Sequence, residues 1–194
     1  IVYSMLRSFR VIRREYLLAF PIGFSFLALS YVTLGVSYVF PLLLEAAIWI
    51  HLLLQSYGYT FLAGSYFLKK RNAAWPPGWL FSLLVIIAVA AVLVIAFPPY
   101  LKLPPYHVAD EIFRILNIGL LSYIVLSMNQ ALKAEPLEVS SMVLAGFTFL
   151  GISQYSLLLW ALDRGFWSFA LAHMLRVAGL VALLIVMAKG SRGA

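Results

Sequence analysis

Long apolar runs, cut short by prolines and small basic clusters, constrain this chain more than any other feature. Between Tyr16 and Ala188 there are six stretches close to the roughly 20 residues that a helix needs to cross a hydrocarbon core of about 30 Å. Apolar residues make up 64% of the 194 and charged residues 11%, with a mean hydropathy of +0.99. That balance cannot supply the polar surface of an ordinary soluble domain. The runs lack the alternation of outer-membrane strands. The expected fold class is therefore all-α, a polytopic transmembrane helix bundle. Six complete spans are expected, at about 16–39, 42–68, 78–97, 108–132, 138–161 and 167–188.

Proline and charge set the limits of these spans. Lys69, Lys70 and Arg71 stop the second, and Pro76-Pro77 prevents its continuation. Pro98-Pro99 closes the third, while Glu135-Pro136 and Asp163-Arg164-Gly165 break the last three. The basic residues are one-sided. Arg7, Arg10, Arg13, Arg14, Lys69, Lys70, Arg71, Lys133, Lys189 and Arg192 collect on one face of the membrane, and only Lys102 and Arg164 lie in the connectors of the other. The positive-inside bias makes this a multi-pass protein of the cell membrane with its C-terminus cytoplasmic. The net charge of +7 is then a topology signal whose partner is the lipid bilayer, and no nucleic-acid partner is implied. With no cysteine in the chain, disulfides, thiolate metal sites and Cys nucleophiles are excluded.

The chain also repeats itself. Laid on itself at an offset of 123 residues, Ile1–Ser30 and Ile124–Ser153 agree at 10 of 30 positions. The matches cluster in Ile-Val-x-Ser-Met (1–5 and 124–128) and Gly-Phe-[Ser/Thr]-Phe-Leu (23–27 and 146–150). With a shift of one or two residues, His51…Gly58 falls on His173…Gly179. The expected organisation is one membrane domain. Its first repeat is 1–76, followed by a linking span and outer loop at 77–107 and a second repeat at 108–194. Because Ile1–Arg14 align with the end of span four, they are expected to be the last turns of a further helix. The intact protein would then have seven spans, as parallel three-helix repeats joined by a linking helix. An interfacial amphipathic helix is the alternative for residues 1–14. The helix count resembles that of the SWEET sugar-efflux family and of microbial rhodopsins, but only the count. None of Gln55, Gln130 and Gln154 follows a proline, and Trp167–Ala188 holds no lysine for a retinal Schiff base.

Polar side chains inside the spans carry the functional argument, since lipid makes them costly. They are Glu45, His51 and Gln55 on the second span, Asp110, Glu111, Arg114 and Asn117 on the fourth, and His173 and Arg176 on the sixth. Spacings of three, four and seven residues put each set on one helix face. Counting about 1.5 Å per residue, His51 and His173 fall roughly 13 and 10 Å below the outer surface. One polar pocket in the outer half of the bilayer, lined by spans two, four and six, accounts for the set. Interhelical hydrogen bonds that only fix packing are the plainer alternative.

Three functions compete for such a pocket. One is a haem b electron-transfer or membrane-anchor subunit, with His51 and His173 as axial ligands and Arg176 or Arg114 paired with a propionate. The second is a small-solute transporter or ligand-sensing protein whose pocket is Glu45, Gln55, Asp110 and Asn117. A metal site at His51 and His173, helped by Glu45, is a variant of it. The third is a substrate-capturing or purely structural subunit that joins other membrane subunits or a homo-oligomer. Enzyme motifs are lacking: no HExxH, GxSxG, P-loop or GxGxxG occurs.

Overall fold

The structure, a computed structural model, describes residues 19–39, 44–71, 83, 86–87, 89–90, 106–134 and 138–192. Five helices account for nearly all of them: α1 (Ala19–Val39), α2 (Leu44–Arg71), α3 (Tyr106–Ala134), α4 (Glu138–Asp163) and α5 (Phe166–Arg192). No strand occurs among the described residues. The basic cluster Lys69–Arg71 does not stop α2 early, because the helix runs through it.

Six complete spans are not supported. Among the described residues, three stretches are long and apolar enough to cross a membrane: Tyr106–Lys133, Ser141–Asp163 and Phe166–Val186. The apolar stretch of α1, Phe20–Val36, is shorter. α2 has the length, at 28 residues, but His51, Gln55, Ser56, Tyr57, Tyr59, Thr60 and Ser65 dilute its apolarity. The expected span at 78–97 lies outside the described residues except for Leu83, Ile86, Ile87, Val89 and Ala90, which are helical. Ile87 is buried with Phe61 of α2, and Ile22, Phe26, Tyr57 and Leu83 pack around the pair. The expected helix at 1–14 also lies outside the described residues.

The exposed surface is itself apolar. Leu162, Phe166, Trp167 and Met174 are each more than 70% exposed. Such a surface is compatible with a lipid surrounding, and water would penalise it.

The chain divides into two compact units, one holding α1 and α2 and extending to Asp110, the other running from Glu111 through α4 and α5. Each is organised around a bare backbone crossing. In the first, a Cβ on Gly58 would stand 3.0 Å from the Gly23 carbonyl oxygen and 2.8 Å from Leu27 Cγ. One on Gly23 would stand 2.9 Å from the Gly58 oxygen and 2.8 Å from Leu62 Cγ. In the second, a Cβ on Gly179 would stand 2.8 Å from the Gly146 oxygen and 3.1 Å from Leu150 Cγ, and one on Gly146 would meet Leu183 Cγ at 2.8 Å. Only glycine permits helix axes this close, and each leucine one turn on closes over the gap. The local detail matches too: Ser25 Oγ donates to the Pro21 carbonyl at 2.7 Å, and Thr148 Oγ1 to the Leu144 carbonyl at 2.8 Å.

The crossings set the register of everything along the seams. Gly23 and Gly146 are 123 residues apart, whereas Gly58 and Gly179 are 121 apart. Along α2 the buried stripe is His51, Gln55, Gly58 and Leu62; along α5 it is Ala172, Arg176, Gly179 and Leu183. Opposite them, Gly23, Leu27 and Ser30 of α1 correspond to Gly146, Leu150 and Ser153 of α4.

A tight turn joins α4 to α5. Asp163 accepts hydrogen bonds from the Gly165 N–H at 2.7 Å and the Ser168 hydroxyl at 2.9 Å, which caps the start of α5. Arg164 adopts φ 53°, the left-handed conformation common just past a helix end.

Candidate functional site

In the α1–α2 unit the polar side chains close on one another. Ser30 Oγ donates to the His51 carbonyl at 3.0 Å. His51 Nδ1 lies 2.7 Å from Ser30 Oγ and 3.0 Å from the Ser30 carbonyl oxygen. Both Ser30 oxygens thus hold Nδ1 and fix the orientation of the ring. Tyr31 tilts its ring against the imidazole, 5.9 Å between centroids, and its hydroxyl accepts from Gln55 Nε2 at 3.4 Å. Ser30, Tyr31, His51 and Gln55 thus satisfy one another across the seam.

The same four positions in the other unit hold Ser153, Gln154, Ala172 and Arg176, and there the network is open. Ala172 stands where the register puts His51 in the first unit, so no imidazole meets the serine. Ser153 and Gln154 are fully buried, yet Ser153 Oγ and both amide atoms of Gln154 have no hydrogen-bond partner.

α3 adds a second amide. Its buried stripe is Asn117, Leu121, Ile124 and Met128. A Cβ on Gly151 of α4 would sit 3.7 Å from Leu121 Cβ. That contact lies equally far along both helices from their three-residue connection, so the helices run antiparallel. One turn back on α3 and nearly one turn on along α4 bring Asn117 level with Gln154. Asn117 is fully buried and both of its amide atoms lack a partner.

The residues singled out from sequence are dispersed. His173 is one position past the α5 seam, half-exposed, with its ring edge-to-face on Phe169 at 4.3 Å. It does not occupy the place of His51, which belongs to the other unit. Arg114 and Arg176 both lie within electrostatic reach of His173. Gln55 is buried in the closed network, and Asn117 and Arg176 are buried in the open one. Asp110 is buried near the start of α3 and accepts from the Tyr106 hydroxyl at 3.4 Å. Glu45 lies in the first turn of α2, with its side chain outside the described residues. Among the described residues, no three His, Asp or Glu side chains gather as a metal site.

Leaving a buried polar group unpaired costs about 1–3 kcal/mol, and folded proteins contain few such groups. Five orphan atoms on Asn117, Ser153 and Gln154, in one layer of one unit, are far more than packing requires. Ser153 and Gln154 are the residues that sequence reasoning missed. Their signal was present: the 123-residue offset carries Ser30 to Ser153 and Tyr31 to Gln154. Comparison with protein-family models, with curated proteins and with solved structures finds no match.

Proposed function

We propose that the chain is an integral membrane protein that binds a small polar solute inside its α3–α4–α5 unit, as a receptor or carrier, with its C-terminus in the cytoplasm. The observation that carries the reading is the open network: Asn117, Ser153 and Gln154 are buried and unpartnered. A bound solute would supply the missing partners, as ligands in apolar clefts do through a few convergent polar groups. The matching positions of the other unit make no such demand, because there the same layer is closed. Thermal unfolding of the purified protein against a panel of small polar solutes tests the proposal. A saturable rise in the midpoint is expected, and Asn117→Leu should remove it. Flux into proteoliposomes then separates a carrier from a receptor. No rise with any solute, in wild type or variant, would overturn the reading.

A haem b with His51 as a ligand remains a second reading, favoured by one contact. A ring nitrogen held on a backbone carbonyl is the outer contact that usually orients a ligating imidazole, and His51 Nδ1 lies 3.0 Å from that of Ser30. Against it stands Ala172, which occupies the register of His51 in the second unit. A colourless protein after haem supplementation would dispose of this reading.

A further inference from the structure

We infer that the solute is a small organic anion, a carboxylate that also carries a hydroxyl or amide donor, bound by Asn117, Ser153 and Gln154 with Arg176 one turn away along α5. The inference rests on the solute-site reading above and names the chemistry of the ligand.

The first support is the balance of donors and acceptors. Asn117 and Gln154 each offer two N–H donors and Ser153 one hydroxyl, and the nitrogens, oxygens and hydroxyl of all three lack partners. The layer thus offers donors and acceptors in nearly equal number, so its guest must both accept and donate, as a carboxylate bearing a hydroxyl or amide does. The two amide oxygens can only accept, so the ligand must also bring a donor of its own.

The second support is charge. Arg176 is only 8% exposed and sits on the seam one turn from Gly179. Arg114 projects from α3, one turn before Asn117. Both act on His173 through their positive charge, and the buried carboxylate of Asp110 lies one turn before Arg114 on the same helix. Both engage other groups as well; the inference uses their charge. In a poorly screened interior, a guanidinium beside neutral donors favours an anion over a neutral or cationic guest. The third support is the comparison within the molecule. The seam position of Arg176 is filled in the other unit by Gln55, which is buried and closes onto Tyr31. The open layer thus differs from the closed one in gaining a positive charge and losing an imidazole.

The test is a matched panel of lactate, malate and their neutral amides, with ethanolamine as the cation, titrated against the full chain in detergent. The readout is the unfolding midpoint. The carboxylates should bind more tightly than their amides by on the order of tenfold to a hundredfold, the range expected of one charge-assisted contact. Ethanolamine should leave the midpoint unchanged. Arg176→Gln installs the residue that the matching seam position already accommodates, so the fold should tolerate it. It should collapse the carboxylate preference to within about twofold while weak binding persists. Amides that match or exceed the carboxylates would overturn the anion inference and leave the solute site standing. An unaltered preference in Arg176→Gln would overturn the role given to Arg176. No midpoint shift with any member, up to tens of millimolar, would overturn both the inference and the site.

Discussion

A buried amide without partners is a liability to the empty protein and an asset to the occupied one, and Asn117 makes the trade measurable. Asn117→Leu has nearly the same shape and no polar atoms to satisfy. It should raise the unfolding free energy of the solute-free protein by about 1–2 kcal/mol, while removing the stabilisation that solute provides. Unfolding followed by tryptophan fluorescence in detergent, with and without solute, checks both halves. Glycine offers a cleaner contrast. A Cβ on Gly179 would strike the Gly146 backbone oxygen, whereas one on Gly119 meets nothing within 4 Å. Gly179→Ala should therefore destabilise by about 1–3 kcal/mol through overpacking. Gly119→Ala should stabilise by up to about 1 kcal/mol, from helix propensity alone. Equal effects at the two positions would argue against the crossing.

At the scale of elements, the turn between α4 and α5 carries a prediction of its own. Arg164 holds φ 53°, a conformation that costs little only for glycine. Its guanidinium lies 5.4 Å from the Trp160 ring centroid, an exposed contact that returns little. Arg164→Gly should stabilise by about 0.5–1 kcal/mol, read from the unfolding midpoint. Asp163→Ala should lower the midpoint, because it removes the acceptor of the Gly165 N–H and the Ser168 hydroxyl that holds the turn. Much of this level could be read in the sequence. The observed ends of the five helices fall within four residues of the expected ones, since proline and charge mark where apolar runs give out. The Gly-Phe-[Ser/Thr]-Phe-Leu motif marks the crossings because its glycine and leucine are the residues in contact. The histidines misled for a geometrical reason. A slip of one residue turns a helix position by about 100°, so an offset of 122 rather than 121 moves His173 off the seam where His51 sits. Gln154 was passed over because a single amide in an apolar run shows nothing until its partners are seen to be missing.

For the whole molecule, the span count was the least legible quantity. Apolar runs bounded by prolines and basic clusters suggested six spans, but a run between such limits need not be apolar throughout, and the tyrosines and small polar residues of α2 show the difference. Orientation rests on the Lys and Arg asymmetry. In a chain without cysteine, Lys102→Cys reports on it directly. This position lies outside the described residues, and it should react with an impermeant maleimide in intact cells. Reaction only after permeabilisation would reverse the topology. One feature of the second unit bears on how an occupied site could be felt elsewhere. α4 and α5 approach most closely where bare backbone meets bare backbone at Gly146 and Gly179. Ser153 and Arg176 lie on one side of that crossing, at most about 10 Å along the axes. A guest that parts the helices there must loosen Leu150 and Leu183 where they close over the glycines, so filling the layer trades against the tightness of the crossing.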